Sequence, residues 1–169
     1  EKQEAELIMA KLRELGLEPE MDNSHEKTGG TCGNVWAYVK GTVPNAPKLL
    51  FEAHMDSVAP TTGTKVVRKD GVLYSDGTTT LGGDDKVGVA AMLEAVRALK
   101  EDGVAHGDVQ LCFTVSEEIG CLGVVNMDQS WIKADYGYCM DIGGAPGEIT
   151  YAAPKLYDIY VTVKGKAAH

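Results

Sequence analysis

Leu81-Gly82-Gly83-Asp84-Asp85-Lys86-Val87-Gly88 sets two adjacent carboxylates after a glycine pair and directly before an amphipathic run. Aspartate is a poor helix-interior residue and two neighbouring like charges repel. The pair therefore needs either a helix start or a bound cation to sit against. Three further groups enlarge the set: His54-Met55-Asp56, Glu117-Glu118, and Asp141 ahead of Gly143-Gly144. One imidazole and several carboxylates are donors that a hydrolytic pair of zinc ions uses. The two oxygens of a carboxylate such as Asp84 can span ions about 3.5–4 Å apart. His54 and Asp56, two apart in an extended segment, point to one side, where the carboxylate can orient the imidazole through its other nitrogen. Glu117 and Glu118 point in different directions, so one can hold a cation while the other stays free as a general base. Asp85 either caps the helix or orients a neighbour, and Lys86 reads as charge balance. Each motif alone has an ordinary reading as well: a surface His beside an Asp, an acidic helix start, a solvated Glu pair, an Asp turn closing a strand.

The elements that must position these residues follow from periodicity. Ala5, Ile8, Met9, Leu12 and Leu15 recur at helical spacing before Gly16, and Val89, Met92, Leu93, Val96 and Leu99 do so before Gly103. Strands are predicted over 35–40 (half-buried, with Val35, Ala37 and Val39 alternating against Trp36 and Tyr38), 48–53, 109–115 and 136–140. The Asp70-Gly71 step predicts a hairpin. Residues 22–34 read as a polar loop with His25 solvated. Gly120-Cys121-Leu122-Gly123 opens a short helix, and His106 reads as exposed and idle. Alternation of Tyr157, Ile159, Val161 and Val163 predicts a last strand. Strands interleaved with helices make an α/β fold, a mixed, mostly parallel sheet sandwiched by helices. His54, Glu117, Glu118 and Asp141 each fall just beyond a predicted strand, where ligands of such sheets gather.

Composition narrows the classes. The 169 residues suit one domain with a real core, and 25 acidic against 16 basic residues (net −9) argue against a nucleic-acid partner. No apolar run reaches membrane-spanning length. The four cysteines are widely spaced without a C-x-x-C pair, which fits reduced thiols in a cytoplasmic protein.

His54-Met55-Asp56-Ser57-Val58, Gly83-Asp84-Asp85-Lys86, Glu117-Glu118 and Asp141, in this order, resemble the co-catalytic di-zinc exopeptidases, the family of peptidase T, aminoacylase, carnosinase and succinyl-diaminopimelate desuccinylase. The run from Ser75 to Lys86 is most similar to the peptidase T (tripeptide aminopeptidase) branch. The resemblance implies two zinc ions, replaceable by cobalt or manganese, with His54 and Asp141 on one, Glu118 on the other and Asp84 bridging. It makes Glu117 the base that activates a metal-bridging water, and Asp56 the residue that holds His54. It also implies a cis peptide bond between Asp84 and Asp85. The implied substrates are short peptides. The alternative within the family is an N-acyl amino acid amidohydrolase or carboxypeptidase.

By the same resemblance, residues 1–153 are the N-terminal part of the catalytic domain. Residues 154–169 enter a small α+β lid domain through which a homodimer forms, with His169 contacting the substrate. Family members are longer and draw the second zinc's histidine from near their C-terminus, so the resemblance implies an N-terminal fragment that is inactive alone. From other classes, a metal-binding module without chemistry would have no use for Glu117. A nucleotide-binding domain fits poorly, because the aspartates after Gly82-Gly83 would repel phosphate.

Overall fold

Residue 1 to residue 155, residue 157 and residues 159–166 are described by the computed structural model of the chain. Its main sheet has five strands in the order β1 (Glu20–Met21), β2 (Val35–Val39), β6 (Val109–Thr114), β3 (Leu49–His54), β7 (Tyr136–Cys139). β6 is the middle strand, and every one of its residues is buried. It pairs in parallel with β3, which pairs in parallel with β7, and antiparallel with β2, which pairs antiparallel with β1. The sheet is therefore mixed, with its parallel half on the side that carries His54.

The two-residue period of β6 divides its faces. Val109, Leu111 and Phe113 join Val35, Ala37, Val39 and Ala53 in one apolar cluster with Ala5, Ile8 and Leu12 of α1 (Lys2–Glu14) and Val89, Met92 and Val96 of α3 (Lys86–Asp102). Both long helices thus pack on the same face. Asp85 starts α3 by accepting the Gly88 N–H (3.0 Å), and Gly103 ends it in the left-handed region (φ 62°) that a side chain would resist. On the other face Trp36 packs its ring against Trp131 of the turn Gln129–Trp131, and Gln110 donates to the Trp131 carbonyl.

Elsewhere the predicted hairpin forms as β4 (Val66–Lys69) and β5 (Val72–Ser75), a separate two-stranded sheet. Asp70 (φ 51°) and Gly71 (φ 80°) are both left-handed, as a tight twisted hairpin turn requires. The short helix expected after Gly120 is α4 (Leu122–Asn126).

Several expectations are corrected. Trp36 is buried, against the half-buried alternation, because the 129–131 turn covers it and its indole N–H donates to Asp22 (3.1 Å). Residues 22–34 are not an open loop. They hold α2 (His25–Thr28) and a buried polar knot in which Asp22 accepts the backbone N–H of Ser24 (3.0 Å) and of Asn34 (2.9 Å) and the Asn34 side-chain amide (2.8 Å). His25 is half-buried, with Nδ1 shielded and unpartnered, rather than solvated. The strand predicted over 157–163 is absent among the described residues. Tyr157, Ile159, Val161 and Val163 are 69–88% exposed. Alternation supplies faces, but a strand exists only where ladder hydrogen bonds reach it, and none reach it among the described residues.

Candidate metal centre

β3 ends at His54 and β6 ends just before Ser116-Glu117-Glu118, so parallel pairing delivers the imidazole and the two glutamates to one end of the sheet. Asp141 arrives there two residues after β7, and Asp84 from the segment that starts α3. The imidazole is 1% exposed. Its Nε2 lies 3.1 Å from Asp84 Oδ1, 3.8 Å from Asp141 Oδ1 and 4.0 Å from Glu117 Oε2. Single donor atoms of His54, Asp84 and Asp141 fall within 4.8 Å of one another, and those of His54, Glu117 and Glu118 form a second such group. The Asp84–Asp85 peptide bond is cis.

Charge crowding marks the centre. Burial disfavours the imidazolium, but the hydrogen bond to Asp84 and the charges of Asp141, Asp56 and Glu117 outweigh it and raise the His54 pKa. Burial pushes the Asp141 carboxyl up to about 7, helped by the neighbouring Asp84 carboxylate, while the bond to His54 holds Asp84 below its usual range. Burial and Asp84 likewise raise Glu118, whose Oε1 is shielded and has no partner among the described residues. Carboxylates crowded this closely around one imidazole form a negatively charged donor set that a bound cation would neutralise. One imidazole, several carboxylates and an orphaned buried carboxylate oxygen suit zinc and also accept cobalt or manganese.

Asp56 does more than spacing indicates. Its Oδ1 lies 3.3 Å from His54 Nδ1, though without hydrogen-bond geometry. Its firm bonds go elsewhere: Oδ1 accepts the Glu117 N–H (2.9 Å) and Oδ2 the Glu118 N–H (3.1 Å). One carboxylate therefore fixes the backbone of both glutamates. Sequence reasoning missed two neighbours. The Cys121 thiol donates to Glu117 Oε1 (3.3 Å), and Lys86 reaches across to the segment after His54. Lys86 had a readable signal, since a cation in the first turn of a helix opposes the dipole and needs another reason. The structure brings His54, Asp56, Asp84, Glu117, Glu118 and Asp141 together. His169, the expected substrate contact, lies outside the described residues.

A model of peptidase family M20/M25/M40 matches residues 50–160. The chain belongs to this family. This M20-family chain is 40% identical over 171 residues to the uncharacterised protein YqjE of Bacillus subtilis, covering 99% of this chain and 46% of YqjE. To peptidase T of Geobacillus thermodenitrificans it is 29% identical over 204 residues, covering 98% of this chain and 46% of that protein. The structure of aminopeptidase PepT from Bacillus cereus superposes with a TM-score of 0.80 at 40% identity, over 82% of this chain and 37% of that one. The chain thus spans about half the length of the curated relatives it matches.

Proposed function

We propose that this M20-family chain carries the catalytic end of a zinc-dependent exopeptidase that hydrolyses short peptides, a tripeptide aminopeptidase of peptidase T type. The observation that carries this reading is the convergence of His54, Asp84 and Asp141 donor atoms beside the His54–Glu117–Glu118 group, with the Glu118 oxygen left unpartnered. His54 Nε2 and Asp141 would hold one zinc ion, Glu118 a second, and Asp84 would reach both. Bound there, the metals supply Lewis acidity that polarises the scissile carbonyl and lowers the pKa of water. Glu117 takes the proton of the attacking water on its carboxylate. As the carbon–nitrogen bond breaks, Glu117 delivers that proton to the leaving amine. Asp56 keeps Glu117 and Glu118 in register through their amides and lies against the outer nitrogen of His54.

The likeness to peptidase T and PepT supports the aminopeptidase branch, and residues 154–169 are read as the entry to a lid domain through which the whole protein dimerises. Four free cysteines support a cytoplasmic location, and no described helix is long and apolar enough to cross a membrane.

The test has two stages. Metal analysis of the dialysed chain should find zinc that Asp84→Ala loses. In a protein of the relatives' full length, tripeptides should be cleaved in preference to N-acyl amino acids. There Glu117→Gln should lower kcat by about 10²-fold or more. Undiminished turnover in Glu117→Gln would refute the mechanism, and preference for N-acyl amino acids would move the protein to the amidohydrolase branch.

A further inference from the structure

The metal-centre reading leaves Lys86 without a role, yet no other side chain at the site is tied so completely to one loop. Lys86 Nζ donates to the Met55 carbonyl, to the Asp56 carbonyl (3.1 Å) and to Ser57 Oγ (3.0 Å). An ammonium has three protons to donate, and all three go to consecutive residues of the segment that follows His54. A lysine that only balanced charge would turn to one of the nearby carboxylates. Lys86 makes no ion pair among the described residues. Its charge is spent on neutral oxygens, which makes it a clamp of defined geometry.

The clamp joins two segments and, through Asp56, a third. Lys86 is the first residue of α3, directly after Asp84 and Asp85, and Asp85 anchors that turn through the Gly88 N–H. At its far end Lys86 fixes the backbone of Asp56. The Asp56 carboxylate in turn holds the amides of Glu117 and Glu118. Ser57 Oγ also reaches the Asp84 carbonyl at 3.5 Å, closing the loop between the two segments.

We propose that Lys86 is a positioning residue: it locks the Asp84, His54–Asp56 and Glu117–Glu118 segments into one rigid frame, so that the donor groups are set before a cation arrives. The proposal rests on the metal-centre reading for its purpose, but its physical content can be measured without metal. A preorganised donor set binds its ion more tightly than one that must be assembled, and loss of an outer partner of a metal site costs about 10–100-fold in affinity.

The test compares the unsubstituted chain with Lys86→Met, which keeps length and packing while removing charge and donors. Two quantities are read: amide hydrogen exchange at Glu117 and Glu118 in metal-free protein, and cobalt(II) affinity from the visible absorption of the bound ion. With the far-UV circular dichroism unchanged, Lys86→Met should accelerate exchange at both amides and weaken cobalt binding by about tenfold or more. Exchange and affinity equal to those of the unsubstituted chain would overturn the proposal. If Lys86→Met does not fold, Ser57→Ala removes one of the three acceptors instead. A shift of both quantities in the same direction supports the clamp, and no shift in either overturns it. If the unsubstituted chain binds no cobalt, the metal-centre reading fails. The exchange comparison then decides the clamp by itself, faster exchange supporting it and unchanged exchange refuting it.

Discussion

Asn34→Ala should be among the most damaging single changes in the chain, although among the described residues Asn34 makes no side-chain hydrogen bond to the candidate metal centre. Asn34 is fully buried. Its side-chain amide donates to Asp22 Oδ2 (2.8 Å) and to the Gly123 carbonyl (3.1 Å), while its oxygen accepts the Val115 N–H (3.0 Å). Alanine removes all three bonds and leaves Val115 N–H, at the end of β6, without its partner. A lost hydrogen bond to a charged group costs about 1.5–3 kcal/mol, and an orphaned buried donor about 1–3 kcal/mol. Because the groups share one network, these costs do not add fully, and about 3–5 kcal/mol is expected. That is a large part of the ~5–15 kcal/mol that holds a domain together. Urea unfolding followed by circular dichroism would read it as a lower midpoint at unchanged slope. Asn34→Asp sharpens the test. It preserves shape but sets a second carboxylate against Asp22, so its penalty should shrink on acidification toward pH 4 by more than that of alanine, which loses only the amide that lowers the Asp22 pKa. A loss below about 1 kcal/mol for alanine would show that water or neighbouring groups replace the bonds, and that the 22–34 segment does not brace the end of β6.

Further outcomes follow from the same structure. Metal-free protein should lose thermal stability as pH rises from about 4.5 to 8. Asp141 keeps its proton to about pH 7 when folded but releases it near 3.8 when unfolded, so the folded state binds more protons in between. His54, raised above its usual value of 6.5, acts in the same direction, since its contribution is present below 6.5 and lost as pH rises through its folded value. Melting curves that rise across this window would refute the raised Asp141 pKa, and zinc added at pH 7.5 should restore the lost stability. Gly123→Ala should destabilise by about 1–3 kcal/mol in the same urea assay, because a Cβ there would overlap the Val115 carbonyl and the Asn34 side chain. Wild-type stability in that variant would mean that α4 can move away from β6.

The local features of this chain are written in short-range signals. Apolar spacing fixes α1 and α3, Gly103 ends α3 because only glycine takes its left-handed turn without cost, and Asp70-Gly71 makes the β4–β5 hairpin. The cluster of candidate donors was legible too, since adjacent carboxylates before a helix and after strands are costly arrangements that a cation would relieve. What sequence could not decide depends on partners distant along the chain. The burial of Trp36 needs Trp131, and the alternation of Tyr157, Ile159, Val161 and Val163 is joined to no ladder among the described residues. The order of strands, with β6 between β2 and β3, brings His54 and Glu117 to one end although 62 positions separate Asp56 from the Glu118 amide it holds. Lys86 read as loose charge because periodicity says nothing about where a long flexible side chain ends. Tertiary structure alone supplies the three oxygens that hold it. Sequence names the groups that chemistry needs, and the fold decides which of them meet, because hydrogen bonds are set by distances in space that spacing along a chain does not encode.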